Sequence, residues 1–269
     1  YKLNEGEDKS PGIRVGQDFQ GVDLVSAWQF PGDFDLPLGT AYAWEGNTSL
    51  DLNSHYINYS QTNTTACEVY LNIYTQPAGT ATQIMETSLD PNLTIFVQND
   101  AEEHTISWPV FDFSGGEDRY VWGITCHTHK YGTDFDIYKR NADWSQGDHI
   151  YDGSCNETNG VPGCASEIYD YQHPPILYFD DYMKVNMNEG FIMEATYVND
   201  GPNSVFWGFT SADEMMLMVY FYLTDTAGLG SISSIGGEEL TSDPIRVYPN
   251  PVVSNCLLYT SPSPRDPKI

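Results

Sequence analysis

The chain has 269 residues and a formal net charge of -27, with 11 Lys and Arg against 38 Asp and Glu. That length suits one or two domains with ample core. So large an acid excess argues against nucleic acid or an anionic membrane as partner, since both reward basic side chains, and fits a soluble protein from a salty or extracellular setting.

In chain order, short apolar or alternating runs are broken by Gly, Pro, Asn and Asp, an all-β signature. Strands are predicted at 49–59, 68–75, 93–98, 104–111, 119–129, 133–139, 175–179, 190–198, 204–209 and 214–223. No amphipathic helix of ten residues or more is visible. The expected fold is all-β: two antiparallel β-sandwich, jelly-roll-like domains, the first incomplete over 1–76 and the second fuller over 77–226. A Gly/Ser linker follows at 227–243. No apolar stretch approaches the roughly 20 residues of a bilayer span. No leader precedes Tyr1, so the chain reads as mature or as cut at its start.

The chemistry concentrates in two segments. His127 and His129 lie one residue apart in VWGITCHTHKYG, and Met215 lies in TSADEMMLMVYFY. On a strand, side chains at i and i+2 share a face, so both imidazoles can reach one metal. Two imidazoles and a thioether suit copper, because soft sulfur favours Cu(I) while imidazole serves both oxidation states. The bland alternatives are a surface histidine pair and a core methionine. Alternation sets Met215 and Leu217 on one face, Met216 and Met218 on the other, and turns Cys126 away from the histidines into the core.

Other candidates read as structural. His104 stands at a strand start, His149 in an insertion and His173 at a turn before Pro174. The carboxylates of DFDIY and YFDDY read as solvated strand ends. Cys155 and Cys164 bracket a Gly/Asn-rich stretch and could close a disulfide bond in an oxidising compartment. The sequons at Asn47, Asn58, Asn63, Asn92 and Asn156 would matter only in a eukaryotic secretory route.

HTHKYG followed by TSADEMM resembles the catalytic domain of the type II, ascorbate-dependent copper monooxygenases, the peptidylglycine and dopamine hydroxylase family. Upstream, AWQFPGDFDLPLGTAYAW and LDLNSHYINYSQTNTTACEVYLNIYT resemble the end of that family's first domain, so the likeness covers about 20 to 225. It implies a copper on His127, His129 and Met215 that activates O2, ascorbate as reductant and C–H hydroxylation of a small-molecule substrate. It also implies a second, electron-transferring copper near His55. The family completes that site with an adjacent histidine pair, and this chain contains no such pair. Cys67 matches a position whose partner would lie before Tyr1. Met216 and about Tyr197 stand where the family has a disulfide.

Thr125 replaces the arginine that grips a substrate carboxylate, and Leu217 and Val219 replace an asparagine and a tyrosine. The implied substrate is thus neutral or cationic and fairly apolar. DPIRVYPNPVVSN resembles the opening of the type-nine secretion sorting domain, truncated over 244–255, which implies passage through that secretion machinery to the cell surface or exterior. Residues 256–269, within CLLYTSPSPRDPKI, read as an artefactual tail, and the whole as an open reading frame interrupted at both ends. A non-catalytic secreted β-sandwich that binds copper or a surface ligand is the competing reading.

Overall fold

A computed structural model describes residues 35–44, 62, 73–112, 116–154, 169–208, 210 and 212–232. These all fall within one unit, Tyr1–Ile235. Most of the expected first sandwich, the tail, His55, Cys67, Cys155 and Cys164 fall outside the described residues.

The described part is all-β. Thr40–Ala41 (β1) pairs in parallel with Gln83–Ile84 (β2). Glu86–Pro91 (β3), Phe96–Val97 (β4), Glu103–Val110 (β5), Asp118–Thr128 (β6), Gly132–Arg140 (β7) and Gln146–Asp152 (β8) follow. Leu177–Asn186 (β9), Phe191–Val198 (β10), Val205–Phe206 (β11) and Met216–Leu223 (β12) complete the series. Two antiparallel four-stranded sheets dominate, ordered β3-β12-β6-β9 and β5-β10-β7-β8.

Both sheets feed one core, because alternate residues of each strand turn inward. Ile124 and Cys126 of β6 and Met216, Met218 and Tyr220 of β12 meet Phe135 and Ile137 of β7 and Phe191, Met193 and Tyr197 of β10. The unbroken apolar run of β12 is the mark of a strand covered on both sides. Its opposite face carries Val219 and Phe221, which join Trp122 and Met85 in a second cluster. Leu36 and Tyr42 pack there, as do Leu229 and Ile232 from the start of the expected linker.

Several expectations need amendment. Strands β3 and β8 form where none is predicted, and β9 runs on to Asn186 rather than stopping at 179. DFDIY and YFDDY lie in mid-strand, not at strand ends. Asp136 is buried and accepts a hydrogen bond from His149 Nε2 at 2.8 Å, and His149 lies on β8. Asn92 is buried within a turn closed by Thr94, where a glycan has no room. Among the described residues no helix is long and apolar enough to cross a membrane.

Candidate metal centre

The antiparallel register of β6 and β12 joins the two motifs. His127 lies opposite Leu217, and Thr128 opposite Met216. The ladder ends at that second pair, with His129 the next residue after β6 and Met215 the residue just before β12. The two imidazole centroids are 5.2 Å apart with planes 86° to each other. His127 is half-buried, whereas His129 and Met215 are each 7% exposed.

In TSADEM, Thr210, Asp213 and Glu214 each make hydrogen bonds that shape the segment. Asp213 Oδ2 accepts from the Thr210 hydroxyl at 2.7 Å and from its N–H at 3.1 Å, which closes the loop. The Asp213 carbonyl then accepts from His129 Nδ1 at 2.9 Å. A carbonyl cannot donate, so Nδ1 carries the proton. In the neutral ring the lone pair is therefore on Nε2, the form in which imidazole ligates a metal with its other nitrogen held by an outer partner.

Glu214 is the member that sequence reasoning left without a role. Fully buried, its carboxylate accepts from the backbone N–H of Met215 at 2.8 Å, of Tyr131 at 3.1 Å and of His129. One side chain thus ties the HTHKYG turn to the methionine. Burial pushes its pKa up to about 7, against the opposing pull of those three N–H donors. An acid directly beside an unbroken apolar strand was the available signal, because a buried carboxylate demands partners. Tyr197 hydroxyl donates to the Met215 carbonyl at 2.8 Å, fixing the backbone from the core side.

Around the trio, Cys126 faces the core as expected, and burial raises its thiol pKa to about 12, which makes it inert. Thr125 is buried and its hydroxyl donates to the Pro175 carbonyl at 2.9 Å. Leu217 and Val219 are buried too. His104 and His173 pair with Asp100 and Asp170, in keeping with structural roles.

Among the described residues, no group of three or more His, Cys, Asp or Glu side chains is arranged to hold a metal ion. Met215 offers a thioether, which is none of those four side-chain types. The trio's donor types and the His129 tautomer fit copper. No protein-family model matches the chain, and no curated protein matches it.

Proposed function

We propose that the chain is a secreted, copper-dependent monooxygenase-like protein that hydroxylates a C–H bond of a small organic molecule with O2 and a reductant such as ascorbate. The observation that carries this reading is the tie between the two motifs: Glu214 and Asp213 bind the backbone and ring of His129 while Met215 follows directly in the chain. The family resemblance of HTHKYG and TSADEM supplies the chemistry. The proposal includes two jelly-roll-like sandwiches, with the trio on the second.

Bound copper would supply one-electron chemistry and O2 activation, which no side chain offers. The protein's part is ligation and placement. His127 and His129 would offer imidazole nitrogens, and the Asp213 carbonyl holds the second ring by its Nδ1 proton. The Met215 thioether would favour the reduced ion. Buried Thr125, Leu217 and Val219 offer no positive charge to a carboxylate, so the substrate class is neutral or cationic and fairly apolar.

Copper stoichiometry and ascorbate-driven O2 uptake test this reading. A copper-loaded chain that consumes O2 only with ascorbate and a substrate supports it; one that binds copper yet consumes none across a broad substrate panel refutes catalysis. A non-catalytic copper-binding β-sandwich is the second reading, which needs no histidine pair beside His55. It predicts a single copper and no uptake.

A further inference from the structure

An aromatic cavity is lined by residues of β3 and β5, the edge strands of the two sheets, and of the β7–β8 turn. Its volume is about 420 Å3, within the usual span of small-molecule sites. Trp108, Phe111 and Trp144 line it with Pro91 and Pro109, and Asp90 contributes a carboxylate.

Trp144 is held there against its own preferences. It is 56% exposed, and its φ of 72° is a left-handed conformation that a bulky residue rarely adopts. The β7–β8 turn enforces this. Trp144 N–H donates to the Asn141 carbonyl and Asn141 N–H to the Ser145 carbonyl, each at 2.9 Å. Asn141 Nδ2 donates to Ser145 Oγ, and Asp143 accepts from Ser145. The ring meets Phe111 edge-on with centroids 5.0 Å apart.

Charge selects the ligand. The Arg140 guanidinium, 4% exposed, sits 4.1 Å from the Trp144 centroid and 4.7 Å from that of Phe111. This fixed cation covers one face of Trp144 and would repel a second cation at the other, while the ring as a whole stays largely exposed. Arg119 acts on Asp90 from within, and Ser88 donates to Asp90 Oδ2 at 2.7 Å. What remains favourable is an uncharged molecule with flat C–H faces to lie on rings and hydroxyls to donate to a carboxylate.

We infer that this cavity binds a neutral sugar ring, the Trp144 platform stacking on it and Asp90 accepting its hydroxyls. The inference is independent of the copper reading. Its test uses the full chain with cellohexaose, laminarihexaose, maltohexaose and xylohexaose, followed by calorimetric titration and tryptophan emission, with choline as the cationic control. Saturable binding of at least one sugar is expected, weakened about tenfold or more in Trp144→Ala and largely kept in Trp144→Phe. Thermal melting reports whether Trp144→Ala remains folded. Binding of none of the four, binding of choline instead, or sugar binding unchanged in a folded Trp144→Ala overturns it.

Discussion

Glu214 Oε2 receives the backbone N–H of Tyr131 at 3.1 Å, across 83 residues of chain. The same carboxylate takes the N–H groups of His129 and Met215, so the two halves of the candidate centre share one buried anchor. Removing that anchor should loosen both halves together.

Replacing Glu214 by Gln exchanges one acceptor oxygen for an amide that points a donor at backbone donors. The expected loss is about 1–3 kcal/mol of unfolding free energy, read by urea denaturation of the metal-free chain. Copper affinity should fall with it. A variant as stable as the parent would mean that these N–H groups find other partners.

Gly132 tests the same turn sterically. A Cβ there would stand 2.2 Å from Thr128 Oγ1 and 2.7 Å from Thr128 Cβ, and Thr128 is buried with its hydroxyl 3.0 Å from Tyr169 hydroxyl. Gly132→Ala should therefore cost about 1–3 kcal/mol, as overpacking does, with a lowered melting temperature. The glycine that ends HTHKYG thus has a packing reason beside any functional one.

The contributions of Asp152 and His149 to stability should fall as the pH rises from about 4 to neutrality. Burial, then Asp136, then Asp134 push Asp152 from its ordinary 3.8 to about 6. A raised carboxyl binds more protons folded than unfolded, so its contribution is full below 3.8 and is lost as pH passes about 6. His149 acts in the same direction. Although burial opposes it, its bond and charge pairing with Asp136 raise its pKa above 6.5, so its contribution fades as pH climbs past that value. Denaturant midpoints measured across this range in the parent and in Asp152→Asn check the claim. The Asn variant should be the more stable at neutral pH by on the order of 1–3 kcal/mol and should show a shallower slope.

The sequence spoke most clearly where side chains alternate or run apolar. β6, β7, β10 and β12 all appear near their expected bounds, and the two faces of β12 separate Met216 from Leu217 as alternation requires. Edge strands were less legible. β3 reads ETSLDP and β8 reads QGDHIYD, and neither carries an apolar stripe, because an edge strand half open to water needs none. β9 continues through Asp180 and Asp181 for the same reason. At the candidate centre the residue types could be read, but their cross-strand pairing could not. Nothing in the 90-residue gap between His127 and Leu217 states that they lie opposite each other. The task of Glu214 was hidden because its partners are backbone N–H groups, which every residue but proline possesses.

X-ray absorption of the Cu(I)-loaded chain reaches the central claim most directly. The account predicts copper bound by two imidazole nitrogens and one sulfur, with the sulfur lost in Met215→Leu and binding itself weakened tenfold or more in His127→Ala. A copper spectrum without sulfur, or one unchanged by Met215→Leu, would contradict it.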